Sequence, residues 1–218
     1  LLSTYAQNGV NAIFIHGLLS ALSYYPFNPK LCEGYEERRK ELKSLIKRAE
    51  RFGIKIYLYL NEPRCLDLAD FKGKEHLKGT ISGNTATLCM EQKEVQDYLY
   101  TSVKDLLVSL ENLGGIFTIT MSENLTNCSS RVGDVMCPVC ANVPVEETVT
   151  KVNNIMLKAC QDSNTGAELI ANIWGWDSFR EFTDENVKNS FKLLDKDVAV
   201  MATSEYSLEF ETGGVKNR

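Results

Sequence analysis

An α/β protein built on a parallel sheet is what the sequence predicts, and three observations carry that prediction. Apolar, β-branched runs alternate along the 218 residues with amphipathic stretches of helical period. The runs are nearly continuous in apolar character rather than strictly alternating, the pattern of strands covered on both faces of a parallel sheet. Short glycine-bearing turns lead into the runs, whereas the segments that leave them are long.

Taken in order, Leu1 to Gln7 reads as the tail of a helix feeding Asn8-Gly9-Val10, and Val10 to Ile15 is the first strand. Tyr35 to Phe52 places Leu42, Leu45, Ile46 and Ala49 on one helical face, with Glu, Lys and Arg opposite and Gly53 as the stop. Ile54 to Leu60 is the second strand. Val95, Leu99, Val103, Leu106 and Leu110 mark a helix that ends before Gly114-Gly115, and Gly115 to Met121 is the third strand. Val152, Ile155, Met156 and Ala159 mark another before Gly166, followed by the strand Glu168 to Ile173. Val187, Phe191 and Leu194 lead to the last strand, Val198 to Thr203, after which Glu209 to Arg218 reads as a loop.

Four successive strand-helix-strand units imply right-handed crossovers. The long segments Gly17 to Gly34, Asn61 to Cys89 and Ser122 to Pro144 all leave strands. Long loops on one side only predict a barrel whose site lies at the carboxyl ends of its strands. Residues 1–218 are therefore expected to form part of one (β/α)8 TIM barrel, truncated at both ends. An open doubly wound sheet is the alternative, and the lack of a GxGxxG or GxxxxGK[ST] loop counts against its nucleotide-binding form.

Composition excludes several classes. With 44% hydrophobic and 24% charged residues and a mean hydropathy of −0.20, the 24.5 kDa chain has the make-up of a folded globular protein. Its 24 Lys and Arg against 29 Asp and Glu leave a net charge of −5 without a basic stripe, so nucleic acid is not an expected partner. No apolar run approaches the roughly 20 residues of a membrane span, and the first residues lack the pattern of a signal peptide.

At the predicted strand ends stand His16; Tyr59, Asn61, Glu62 and Arg64; Ser122, Glu123 and Asn124; Trp174, Trp176 and Asp177; and Glu205 and Tyr206. This mixture suits carbohydrate. Asp, Glu, Asn and Arg pair with sugar hydroxyls, and Trp and Tyr stack on the C–H face of a ring. Glycoside hydrolysis further requires a carboxylic acid at the leaving oxygen, usually opposite a second carboxylate. Glu123 follows the run Ile116 to Met121 directly and is the expected general acid/base, against the alternative of a helix cap or an ion pair with a nearby Arg. Glu62 and Glu205 are the second-carboxylate candidates, a salt bridge to Arg64 being the competing role of Glu62. Trp174 and Trp176, separated by Gly175, would point to one side of an extended strand end as a sugar platform; core packing is the alternative for either. His16 could bond a substrate hydroxyl or sit as a satisfied, partly buried histidine. With His76 the only other histidine, a multi-histidine metal site is excluded.

Seven cysteines cannot all pair within one chain. Cys128, Cys137 and Cys140 form one CxxC pair with a third thiol close by, a signal for zinc that lacks an obvious fourth ligand. Cys89, Cys160 or Asp134 could complete the set. Bound metal would form a closed structural clip folding the long loop beside Glu123; free cysteines packed in a loop are the alternative.

The segments Gly9 to Phe14, Gly53 to Pro63 and Gly114 to Asn124 resemble the catalytic barrel of family-twenty-like glycoside hydrolases, which include β-N-acetylhexosaminidases. In those enzymes an Asp-Glu pair ends the fourth strand, the Glu as general acid/base and the Asp orienting the substrate acetamido group that serves as nucleophile. By this resemblance Glu123 takes the place of the Glu, while Ser122 stands where the Asp would be. A neutral hydroxyl does not stabilise the oxazolinium-like intermediate as a carboxylate does, which leaves open a different sugar, or an ordinary nucleophile such as Glu205 or a carboxylate beyond residue 218. Trp174-Gly175-Trp176 resembles the aromatic subsite walls of the group. The function expected is hydrolysis of glycosidic bonds in an oligosaccharide or glycan, with no cofactor required for catalysis; a catalytically inactive carbohydrate-binding barrel is the runner-up, and a metal-dependent hydrolase using the cysteine loop comes third.

Overall fold

The computed structural model describes residues 1–122, 124–130, 135–176, 183–202 and 210–217. The short helix α1 (Leu2–Gln7) precedes β1 (Ala12–Gly17), one turn of helix α2 (Leu19–Leu22), the long α3 (Tyr35–Glu50) and β2 (Lys55–Leu60). Three short strands follow, β3 (Leu66–Asp67), β4 (Lys78–Ser82) and β5 (Thr85–Leu88). The regular alternation then resumes with α4 (Lys93–Ser109), β6 (Gly115–Ile119), α5 (Val145–Ser163), β7 (Glu168–Asn172), α6 (Asp184–Leu193) and β8 (Ala199–Met201). Strands β9 (Phe210–Thr212) and β10 (Val215–Asn217) close the described chain.

The helices begin and end where local chemistry directs. Glu36 and Glu37 open α3 and Lys47 and Arg48 close it, each charge opposing the helix dipole end it faces. Thr183 caps α6 in a reciprocal box with Asn186. Asn164, in the left-handed conformation at φ 54°, ends α5.

The main sheet has the order β1-β2-β6-β7-β8 with every neighbouring pair parallel. Each strand reaches the next through a helix, so the expected α/β alternation holds: the chain forms a partial (β/α)8 barrel. Register puts Ile13 and Ile15, Ile56 and Leu58, Ile116, and Leu169 and Ala171 on one face, where they join the core beneath the helices. The opposite face carries Phe14 and His16, Tyr57 and Tyr59, and Phe117. That second face corrects the expectation of strands covered on both sides. Phe14 is 43% exposed, because five strands make a curved sheet and do not close around an interior.

Close approach at the entry to β6 explains the paired glycines there. A Cβ on Gly114 would stand 2.6 Å from the Tyr57 ring, and one on Gly115 would stand 2.1 Å from the Glu168 carbonyl oxygen.

Three boundaries differ from the sequence expectation. Strand β1 runs through His16 to Gly17, so His16 lies within the strand rather than after it. The stretch from Asn61 to Cys89, read as a loop, contains an antiparallel sheet of order β3-β5-β4. Its strands are too short and too rich in Thr, Ser and Gly for a hydrophobic period to show. The carboxyl-terminal stretch, also read as a loop, holds the β9–β10 hairpin, turned by Gly213 and Gly214 at φ 62° and 80°.

Candidate active site at the carboxyl ends of the strands

At the end of β2, Asn61 is buried and its Nδ2 donates to Ser122 Oγ at 3.0 Å, just beyond β6. Ser122 Oγ also accepts the backbone N–H of Asn124 at 3.1 Å, while the Asn124 side chain is exposed. Asn61 Oδ1 is buried and finds no hydrogen-bond partner among the described residues. Ser122 and Asn124 thus place both chain neighbours of Glu123 at the strand end. Glu123 itself lies outside the described residues, as do Asp177, Glu205, Tyr206 and Asp134.

His16 is exposed and meets the Tyr59 ring edge-on at 5.2 Å, and Tyr59 in turn meets Phe117 at 5.5 Å. The row crosses β1, β2 and β6 on the face away from the helices, an aromatic floor of the kind that accepts the C–H face of a ring.

Glu62, offered as a second carboxylate or as the partner of Arg64, is enclosed by the fold. It is 2% exposed; Oε1 accepts the Leu19 N–H at 2.8 Å and Oε2 accepts the Arg64 N–H at 3.0 Å. The carboxylate therefore ties α2 to the end of β2, and the half-buried Arg64 supplies its backbone to it. Burial pushes the Glu62 carboxyl up to about 7, against the partial relief of those hydrogen bonds and the Arg64 charge. Nearby, Tyr25, Phe27 and Tyr98 form an edge-to-face cluster with centroids 5.1 to 5.4 Å apart, and the buried hydroxyls of Tyr25 and Tyr98 have no hydrogen-bond partner among the described residues. Burial first, and the Glu62 charge second, hold both phenols well above their ordinary range. Sequence reasoning missed this aromatic lining; the run Tyr24-Tyr25-Pro26-Phe27 in the first long loop was the available signal.

The two tryptophans do not form a shared platform. Residues after β7 turn back, with the Trp176 N–H bonded to the Ile173 carbonyl and Gly175 at φ 85°, so an extended strand end is absent there. Trp176 is 1% exposed, packs with Met121 and Val149, and donates its indole N–H to Thr120 Oγ1 at 3.1 Å. Trp174 is 37% exposed at the surface.

Beside this site the loop after β6 folds on itself. Asn127 Nδ2 and Thr126 Oγ1 both donate to the Thr120 carbonyl, and Ser130 Oγ accepts the Thr126 N–H. The same loop carries Cys128, Cys137 and Cys140, and their thiols meet a fourth, Cys89, directly after β5. All four are buried, and their sulfur atoms lie within 4.8 Å of one another, a group that could bind a metal ion. Cys160 is elsewhere, in the helix-covered core, where burial pushes its thiol up to about 12. Among the described residues no helix is long and apolar enough to cross a membrane. A groove of about 600 Å³ between α4 and α5, walled by Tyr100, Lys151, Ile155 and Lys158, lies on the helical layer, so volume does not select the site; strand-end chemistry does.

Neither the protein-family models nor the curated proteins contain a match to this chain. Solved structures do. A GH138 enzyme targeting pectin rhamnogalacturonan II superposes on 92% of this chain and 21% of its own, at 13% identity and a TM-score of 0.56. PbGH5A, a glycoside hydrolase family 5 enzyme from Prevotella bryantii B14 in complex with a xyloglucan tetradecasaccharide, matches 92% of this chain and 51% of its own, at 13% identity and a TM-score of 0.56. The galactosidase domain of the α-galactosidase-sucrose kinase AgaSK matches 92% and 30%, at 16% identity and a TM-score of 0.52.

The fold is part of a (β/α)8 TIM barrel, and the solved structures it resembles are glycoside hydrolases. The chain spans from about a fifth to about half of the length of these neighbours. They belong to several glycoside hydrolase families, so the fold likeness does not single out family twenty.

Proposed function

We propose that this chain is part of a glycosidase acting on glycosidic bonds of an oligosaccharide or glycan, with Glu123 as general acid/base. The observation that supports the reading is that Ser122 and Asn124, the chain neighbours of Glu123, are joined to each other and to Asn61 just beyond the carboxyl end of β6, the end at which barrel enzymes carry their chemistry. The glycoside hydrolase neighbours support a carbohydrate partner. His16, Tyr59, Asn61, Asn124 and Trp174 are the described residues offered for sugar binding, with Arg64 at the rim. Asp177 and Tyr206 belong to the same proposal, as does Glu205 as nucleophile or second carboxylate. The finer reading of a family-twenty hexosaminidase would require a carboxylate where Ser122 stands. Catalysis needs no cofactor in this reading, and zinc at Cys128, Cys137 and Cys140 is structural.

One observation favours the alternative, a catalytically inactive carbohydrate-binding barrel. Of the strand-end carboxylates named from sequence, Glu62 alone lies among the described residues, and both its oxygens are engaged by backbone N–H groups.

Hydrolysis of a panel of nitrophenyl glycosides by wild type and Glu123→Gln tests the proposal. Cleavage of one sugar that drops roughly 100-fold or more in the variant is the expected result. Equal rates for the two would overturn the role of Glu123, and calorimetric binding of an oligosaccharide without turnover would establish the binding barrel.

A further inference from the structure

The four thiols come from two segments far apart in sequence. Cys89 ends the β3–β5 insert that leaves β2, whereas Cys128, Cys137 and Cys140 belong to the loop that leaves β6. Cys89 Sγ lies 3.5 Å from Cys140 Sγ and 3.7 Å from Cys137 Sγ. Both separations are far beyond the roughly 2.05 Å of a disulfide. They approach the edge of a tetrahedron drawn around zinc, about 3.8 Å for Zn–S bonds of about 2.3 Å.

The surroundings are built to hold sulfur in place. Thr87 Oγ1 lies 3.3 Å from Cys128 Sγ, and Thr80 Oγ1 both donates to the Cys128 carbonyl and accepts the Cys137 N–H. The Cys140 backbone N–H is directed at the Cys137 thiol, three residues earlier. At Gly79 a Cβ would come within 2.4 Å of Cys128 Sγ, so the bare backbone of β4 is what lets that sulfur approach. Outer contacts of this kind orient first ligands in metal sites.

From this geometry we infer that Cys89 is the fourth ligand of a closed tetrathiolate zinc centre, and that the metal clasps the β3–β5 insert to the loop after β6. The inference rests on the structural-zinc reading above. Four soft thiolates in a tetrahedral arrangement select zinc or iron, and the buried, fully protein-supplied set leaves no open position for catalysis. Two weaker fastenings run alongside: Ile81 and Val135 exchange backbone bonds of 2.8 and 3.3 Å, and the Cys65 N–H reaches the Leu125 carbonyl at 3.2 Å. The insert also packs into the main core through Leu66, Phe71, Leu77, Ala86 and Leu88, so the metal would fix its outer edge to the loop in addition to that packing. The clasped loop is the one that opens with Ser122, so the zinc would hold the loop carrying Glu123 without touching substrate.

Elemental analysis of purified wild type, Cys89→Ser and Cys160→Ser tests this, joined to hydrogen exchange before and after metal removal. One zinc per chain in wild type and Cys160→Ser, lost from Cys89→Ser, is expected. On removal, protection should fall in residues 61–89 and 124–140 while β2, β6 and α4 keep theirs. Wild type without metal would overturn the zinc reading and the clasp together, and wild type with iron would overturn the zinc reading. Full zinc in Cys89→Ser, or unchanged protection in residues 61–89, would overturn the clasp and leave the zinc reading standing. Should Cys89→Ser fail to fold, cobalt-substituted wild type decides through its visible and charge-transfer absorption: four thiolates support the inference, and three overturn it.

Discussion

Asn61 at the end of β2 donates to Ser122 Oγ beyond the end of β6 at 3.0 Å, and the same hydroxyl accepts the Asn124 N–H at 3.1 Å. One side chain thereby joins the ends of two parallel strands and ties Ser122 to Asn124. Removing the hydroxyl strands the buried Asn61 donor, which costs about 1–3 kcal/mol when unpaired, and frees the part-buried Asn124 N–H. Ser122→Ala should therefore lower stability by about 2 kcal/mol, read from urea denaturation, and lower kcat of the proposed glycosidase more than it raises KM. A variant as stable as wild type would show that the bond contributes nothing. Ser122→Asp, the residue of the resembling hexosaminidases, would bring a charge into the same buried place and should be less stable at pH 7 than at pH 4.

A second prediction concerns the pH dependence of stability. The Glu62 carboxyl is raised from 4.5 to about 7 in the fold, chiefly by burial. Between those values the folded protein holds a proton that the unfolded chain has released, so stability is fully present below pH 4.5 and declines as pH rises through 7. The decline amounts to about 3 kcal/mol for a shift of this size. Glu62→Gln cannot titrate there. The Tm difference, wild type minus variant, should be largest near pH 4 and shrink towards pH 8; a flat difference would contradict the burial account.

The tryptophans should separate cleanly. Trp176→Ala opens a cavity beside Met121 and Val149 and leaves Thr120 without its indole donor, at a cost of about 3–5 kcal/mol in chemical denaturation. Trp174→Ala, at a surface position, should cost less than about 1 kcal/mol and weaken sugar binding in calorimetry. The opposite order of stability losses would refute the placement of the two rings.

Gly79→Ala probes the tight packing of β4. The added methyl would meet Thr87 Oγ1 at 2.3 Å and Cys128 Sγ at 2.4 Å, and both neighbours are fully buried. Overpacking of this kind costs about 1–3 kcal/mol, which a thermal melt would register. A melt unchanged from wild type would show that β4 shifts freely. Gly83→Ala, at a turn with open space around its Cβ position, is the control for backbone strain alone.

The order of strands and helices was legible from sequence because it rests on local periodicity. Leu42, Ile46 and Ala49 of α3, or Val95, Leu99 and Val103 of α4, announce a buried helical face by spacing alone. The contrast between glycine turns entering strands and long segments leaving them was likewise legible from residue types alone. The β3–β5 insert was not legible, since strands of two to five residues that are rich in Thr and Ser carry no period.

The sequence by itself determined the α/β alternation, the side of the sheet where polar side chains gather, and three of the four clustered thiols. Only the tertiary structure decided that Cys89 joins Cys128, Cys137 and Cys140, that Glu62 is enclosed beneath Leu19, and that Trp176 belongs to the core while Trp174 meets solvent. Spacing along a chain reports neighbours within a helix turn or a strand pleat. Burial, pKa and metal-ligand geometry depend on which distant segments the fold brings within a few ångströms.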